Sequence, residues 1–246
     1  MTKFSHDTVV PYRQSAKSKK DQVAGMFDNI AYRYDFLNRF LSGGIDITWR
    51  KKMLRELSDA APKTILDVAT GTGDVAILAA QMLKPEKITG IDISGKMLEI
   101  GRKKITKLLL NSKIELLQGD SEAINSANNA FDAVTVAFGV RNFENLEKGL
   151  SEILRVLKPG GKLVILEFSR PVGSFRWVYN LYMNNLAPFF GRIFCKDKEA
   201  YQYLHSSVKA FPEGKTFLHI LQQVGFQETT LNRLTLGICT IMGRNS

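Results

Sequence analysis

The chain has 246 residues, 44% of them hydrophobic, enough to bury one good core with an elaboration and too little to favour two full domains. Lys and Arg number 34 against 24 Asp and Glu, and the net charge of +10 points to an anionic partner, either nucleic acid or the anionic face of a bilayer. The two cysteines, Cys195 and Cys239, form no CxxC pair, so neither a disulfide framework nor a structural zinc site is expected.

Residues 1–22 are polar and mixed in charge, and read as a flexible tail without the apolar stretch of a signal peptide. No apolar run reaches the length of a membrane span, because Arg, Asn and Pro cut the longest ones. A cytoplasmic protein is expected. Residues 23–60 turn helical and aromatic, through Phe27, Tyr32, Tyr34, Phe36 and Phe40, pause at Gly43-Gly44, and resume from Trp49 to Leu57. Helices ahead of a first strand would either form a lid over a cleft or pack on a sheet edge.

The next stretch, Ile65-Leu66-Asp67-Val68-Ala69-Thr70-Gly71-Thr72-Gly73-Asp74, organises the rest. It reads as a buried strand over Thr64–Val68, a glycine turn, and a helix from about Val75 to Leu83. Such a turn presents backbone N–H groups to a ligand. Gly71, Gly73 and Ala76 also satisfy the dinucleotide fingerprint, with Asp92 near the expected distance beyond. Asp67 and Asp74 bracket the loop, however, and would repel a pyrophosphate. S-adenosylmethionine (SAM) carries a sulfonium and an ammonium instead, which carboxylates favour.

Further strands follow at Lys87–Ile91, Ile114–Gln118, Ala133–Ala137 and Lys162–Glu167, with helices over Met97–Leu110 and Leu146–Leu157 between them. Lys158-Pro159-Gly160-Gly161 is expected to turn sharply into the fifth strand. This alternation specifies parallel strands with right-handed crossovers and a cleft beyond their carboxyl ends, where Asp67, Asp74, Asp92 and Asp120 gather. Residues 172–210 break the alternation and read as a helical cap insertion. A last helix at about Glu213–Val224 leads to Phe226–Arg233 and Leu236–Met242, spaced as an antiparallel hairpin. The expected fold is α/β: a doubly wound, mostly parallel, seven-stranded Rossmann-like sheet in a single domain over residues 23–246.

The architecture resembles the class I SAM-dependent methyltransferases. Tyr34-Asp35-Phe36-Leu37-Asn38-Arg39-Phe40-Leu41-Ser42-Gly43-Gly44-Ile45-Asp46-Ile47-Thr48-Trp49 is similar to the first signature of the ubiquinone/menaquinone biosynthesis C-methyltransferases. Arg155-Val156-Leu157-Lys158-Pro159-Gly160-Gly161 through Glu167-Phe168-Ser169 is similar to their second. Phe138-Gly139-Val140-Arg141-Asn142 and the stretch from Tyr201 to Pro212 also match. The chain departs from the usual pattern at Leu37, where the family has Met, and at Asp46, where it has His. Asp46 removes an imidazole that could titrate, so a catalytic role is not carried over to that position.

The resemblance implies SAM contacts at Thr72, Asp92, Asp120 and Ser121. Asp92, ending its strand, can take both ribose hydroxyls, while Asp120 and Ser121 can meet the adenine edge. Asp67 and Gly71, with Gly73 completing the turn, are assigned to the methionine end. The implied reaction is C-methylation of a prenylated quinol, either demethylmenaquinol or the benzoquinol precursor of ubiquinone, with the menaquinone branch preferred. A ring carbon becomes nucleophilic once a neighbouring hydroxyl ionises, so Arg141 is expected to stabilise the phenolate and Asn142 to position it. No metal is expected. A prenylated substrate implies peripheral contact with the inner face of the membrane, by way of Lys/Arg and an aromatic cap around Phe175–Phe190. A nucleic-acid methyltransferase is the rival, but the usual Asn/Asp-Pro-Pro-aromatic motif after the fourth strand is replaced by Phe138-Gly139-Val140-Arg141, and nucleic acid is not expected as a partner. A dehydrogenase is disfavoured by Asp67 and Asp74, and turnover would exclude a non-catalytic lipid-binding protein.

Overall fold

The computed structural model describes residues 4–171 and 198–245. In chain order the described helices are α1 (Lys19–Ser42), α2 (Ile45–Arg55), α3 (Asp74–Met82), α4 (Gly95–Lys107), α5 (Leu146–Val156), α6 (Lys198–Ala210) and α7 (Lys215–Val224). The strands are β1 (Thr64–Val68), β2 (Lys87–Asp92), β3 (Ile114–Gln118), β4 (Phe131–Ala137), β5 (Leu157–Phe168), β6 (Gln227–Leu234) and β7 (Cys239–Asn245). They form one seven-stranded sheet in the order β3-β2-β1-β4-β5-β7-β6. The first five are parallel, and β7 runs antiparallel between β5 and β6. Strand order reverses between β1 and β4, so the crevice of this sheet opens at their carboxyl ends.

Both faces of the sheet are covered, which is why β1 and β4 read as continuous apolar runs rather than alternating ones. Ile65, Ile88, Val164 and Leu166 pack against α2, α3 and α4 on one face. Leu66, Val134, Val136 and Ile165 pack against α5 and α7 on the other. Each such side chain withdrawn from water contributes about 1.5–3 kcal/mol. Side-chain caps set where the helices begin: Ser18 for α1, Ser94 for α4 and Asn145 for α5 each accept an N–H from the first turn. Gly43, with φ at 58°, closes α1 in the left-handed conformation.

The structure differs from the sequence reading in three places. The last strand runs Cys239–Asn245 rather than Leu236–Met242, because a 3-10 turn occupies Thr235–Gly237. Lys158–Gly161 does not precede the fifth strand but lies within it. The pairing jumps from Phe131↔Leu157 to Ala133↔Lys162, so the four residues form an irregular bulge in β5. The N-terminal segment, expected to be a flexible tail, is docked from Phe4 onward. His6 is fully buried, with its ring edge-on to Phe211 at 5.4 Å. Ser5 Oγ donates to the Ala210 carbonyl at 2.9 Å, and Lys19 Nζ to the His6 carbonyl at 2.9 Å. Polar composition concealed this because the contacts of Ser5 and His6 with Ala210 and Phe211 run to residues 205 positions away. Of the expected cap over residues 172–210, positions 172–197 lie outside the described residues. The rest is α6, whose Ala200 and Tyr203 pack against Val23 and Met26 of α1.

Among the described residues no helix is long and apolar enough to cross a membrane.

Candidate functional site

The loop after β1 is built to expose its backbone. Ala69 and Gly71 both have positive φ, 54° and 56°, and Gly73 at 79° starts α3. A Cβ on Gly71 would meet nothing within 4 Å, so the loop faces open space there. The loop after β4 fits closely against it: a Cβ on Gly139 would lie 2.5 Å from the Ala69 side chain. Phe138, just before, is held at φ 58°, an uncommon conformation for an aromatic residue. Strain of this kind concentrates at working sites, and here it borders a cleft with about 680 Å³ of empty space, part of it open to solvent.

The polar lining of that cavity includes Gly71, Asp92, Asp120, Ser121 and Asn142. Its apolar lining includes Phe27 and Tyr34 of α1, together with Phe138 and Phe143. Asp92 accepts the N–H of Gly71 at 2.8 Å and that of Ser94 at 2.9 Å. Burial pushes its carboxyl up to about 6 despite those donors. Asp120 accepts the Glu122 N–H at 2.9 Å and forms an ion pair with Lys20. A lysine ammonium therefore stands on an acid of the cavity wall.

Four predicted site residues lie outside the lining. Asp67 is buried beneath the loop, accepting from Thr70 Oγ1 at 2.6 Å and from Thr135 Oγ1 at 2.7 Å. Burial raises it to about 6, and Asp92 adds to the rise. It shapes the loop and supplies negative charge from below. Thr72 is buried too, donating to Asp35 Oδ1 at 2.7 Å and accepting from Lys104 at 2.8 Å. Gly73 packs on Leu116, Ile105 and Gly101.

Arg141 is the fourth. Its guanidinium is buried, bonded through Nη1 to Glu167 at 2.6 Å and to the Phe138 carbonyl at 2.6 Å, and it lies over the Phe168 ring. Its Nε–H has no hydrogen-bond partner among the described residues. Asn142 does line the cavity, its Oδ1 accepting from the Tyr203 hydroxyl at 3.1 Å. Asp74, expected to face a cationic ligand, is instead paired with Lys104 at 2.8 Å and Arg39 at 3.2 Å. Burial alone would raise Asp74, but Lys104 prevails and holds it below the usual carboxylate range.

Residues 14–244 match the model of the ubiE/COQ5 methyltransferase family. The chain belongs to this family. It is 46% identical over 239 residues to a demethylmenaquinone methyltransferase of Bacteroides fragilis, covering 97% of each chain. It is 45% identical over 225 residues to a ubiquinone/menaquinone biosynthesis C-methyltransferase of Geotalea daltonii, covering 91% of this chain and 95% of that one. A SAM-dependent methyltransferase structure from Aquifex aeolicus shares the fold, with a TM-score of 0.52 at 21% identity over 74% of this chain and 81% of that one. This family member is a SAM-dependent methyltransferase.

The lining fits that cofactor. Acids at the ends of β2 and β3 suit hydroxyl and amine donors, and two carboxyls held near 6 gain from a cation close by. Among the described residues no cluster of His, Cys, Asp and Glu could hold a metal ion. Sequence reasoning missed Lys20, which it placed in the tail, and Glu167, the partner of Arg141. It also left Tyr34 and Phe138 unassigned, although both stand in the motifs that carried the resemblance.

Proposed function

We propose that this enzyme methylates a ring carbon of demethylmenaquinol. The observation that carries the reading is the junction in one cavity of an acid-lined end, with Asp92 and Asp120, and an aromatic end, with Phe27, Tyr34, Phe138 and Phe143. The name of the Bacteroides fragilis relative supports the menaquinone branch. The Geotalea daltonii relative carries both pathways in its name, so the ubiquinone precursor is the second reading.

Asp92 would hold the ribose hydroxyls, Asp120 and Ser121 the adenine, and the Gly71 turn the methionine end, over the buried charge of Asp67. Bound SAM supplies the methyl group from a sulfonium, which a nearby carboxylate stabilises before transfer. The protein's own task is to ionise the quinol and to hold its carbon in line, about 3–3.5 Å from the methyl. Arg141, buried just outside the lining and paired with Glu167, would act on the phenolate as a positive charge through the cavity wall. Asn142, fixed between Tyr203 and the Phe138 carbonyl, would orient the ring. The proton leaves to water or to an acid of the cleft, since arginine does not accept one.

The test is incubation of purified protein with SAM and either a short-chain demethylmenaquinol or the benzoquinol precursor, with product mass as the readout. A mass gain of one methyl on the first substrate supports the reading; gain only on the second shifts the branch. No gain on either refutes the quinol assignment.

A further inference from the structure

Helix α1 buries Val23, Met26, Ala31 and Leu37 but also carries apolar side chains on its outer side. Two of its three carboxylates turn toward the domain: Asp28 accepts from Ser94 Oγ at 2.6 Å and from the Lys96 N–H at 3.1 Å, and Asp35 pairs with Lys104 at 2.5 Å. Three of its five aromatic side chains are exposed. Tyr32, Phe36 and Phe40, spaced by four, are 76%, 54% and 42% exposed, and Ile45 beyond the glycine pair is 43% exposed. Phe36 and Phe40 stack with their ring centroids 5.8 Å apart. No exposed residue between Asn29 and Ile45 is acidic.

Helix α4 runs beside α1 in the same direction, as the bonds of Asp28 to its start and of Asp35 to its end require. Its Lys96, Lys103 and Lys107 are exposed and spaced by seven and four, which puts them on one row that Glu99, the sole acid of the helix, interrupts between Lys96 and Lys103. Leu108 and Leu109 follow, 46% and 86% exposed. An aromatic row thus lies alongside a basic row on two neighbouring helices.

This pairing fits one partner better than others. Aromatic rings favour the interfacial zone of a bilayer, and lysines favour anionic headgroups. A second copy of a chain with net charge +10 would bring like-charged rows together, which disfavours self-association through this face. The same helix also borders the cavity, which Val23, Phe27 and Tyr34 line from its opposite side.

We propose that the α1–α4 face docks this methyltransferase on an anionic bilayer, with Tyr32, Phe36 and Phe40 entering the interfacial zone and Lys96, Lys103 and Lys107 meeting lipid phosphates. The proposal deepens the quinol reading, which gives the enzyme a reason to visit a bilayer, yet binding can be measured without any quinol. Full-length protein is sedimented with vesicles of phosphatidylcholine alone and with about one-third phosphatidylglycerol added. The wild type should bind the anionic vesicles, and more weakly as salt rises. Phe36→Ser with Phe40→Ser should lower the partition coefficient on the order of tenfold, as should Lys103→Gln with Lys107→Gln at low salt. The milder Tyr32→Gln should give a smaller drop, with an unchanged circular dichroism spectrum. On a short-chain quinol in solution all three variants should turn over like wild type, whereas on vesicle-embedded quinol their rates should fall with their binding. Wild-type partition retained by the variants, or no anionic-vesicle binding by wild type, overturns the proposal. So does a dimer that the substitutions split while vesicle binding stays intact, since the face would then serve a second copy. Failure of every quinol to react would sink the substrate reading and leave the vesicle result to decide this one.

Discussion

Replacing Asp92 with Asn tests the cofactor end of the cavity most directly. The carboxylate holds the Gly71 and Ser94 N–H groups and is pushed up to about 6 by burial. The amide keeps the shape but loses the charge and one acceptor, so its NH2 faces the Gly71 or the Ser94 N–H that the lost oxygen accepted. Loss of charge-assisted hydrogen bonding at one such group costs about 2–3 kcal/mol, equivalent to roughly 30- to 150-fold in Kd. The pH dependence is a second, independent signature. SAM favours the ionised form of Asp92, and a raised pKa means that form is scarce in acid. With a pKa of about 6, the ionised fraction of Asp92 falls about tenfold between pH 7 and pH 5, so wild-type affinity should weaken by at least about tenfold over that interval. Asp67, also raised to about 6, contributes in the same direction, so Asp92→Asn should flatten the profile in part and Asp67→Asn the remainder. Calorimetric titration of SAM at pH 5, 6 and 7 provides the assay. A wild-type Kd that is flat across this range, or an Asp92→Asn protein that binds SAM like wild type, refutes the placement.

Arg141→Ala should lose about 3–5 kcal/mol in urea unfolding, because it leaves Glu167 buried and unpaired; Arg141→Met with Glu167→Leu should recover most of that stability without recovering kcat. Gly139→Ala, which drives a methyl to 2.5 Å from Ala69, should cost about 1–3 kcal/mol and weaken SAM binding through the shared loop, read by thermal unfolding and titration. Lys20→Met frees Asp120 from a half-exposed ion pair and should tighten SAM binding by at most about fivefold, the scale of an exposed salt bridge. Asp132 is held down at about 2: burial opposes this, but Lys158 and Thr64 prevail. Its stabilisation is therefore present above about pH 4 and lost as pH falls toward 2, and Asp132→Asn should cost about 1 kcal/mol at pH 7 after solvent screening, with no further loss in acid.

Legibility in the sequence followed the range of the interactions. Strands β1 and β3 stand at the residues where apolar runs and turn signals placed them, because both are set by nearest neighbours. Gly71, Asp92, Asp120 and Ser121 gathered around one cavity because strand ends in a parallel sheet converge there. Register was not legible. Asp67 faces Thr135 because those two residues are partners across β1 and β4, and that pairing satisfies the carboxylate that was expected to face the cofactor. Arg141 read as a lone cation since Glu167, on the adjacent strand, is 26 positions away. The bulge at Lys158–Gly161 looked like a turn because its glycines permit both, and only the partner strand distinguishes them.

The position of β7 carries a consequence for biosynthesis. It is the last strand in the sequence but an interior strand of the sheet, paired with β5 on one side and β6 on the other. Until residues 239–245 have left the ribosome, β6 has no neighbour to join, and β5 presents an open edge carrying Leu163, Ile165 and Leu166. A stop codon anywhere before Cys239 therefore removes two strands rather than one and leaves an apolar template for pairing with other chains. Such truncated products should accumulate as aggregates or chaperone clients rather than as a shortened enzyme, and the interval before residues 239–245 emerge is when this sheet most needs protection.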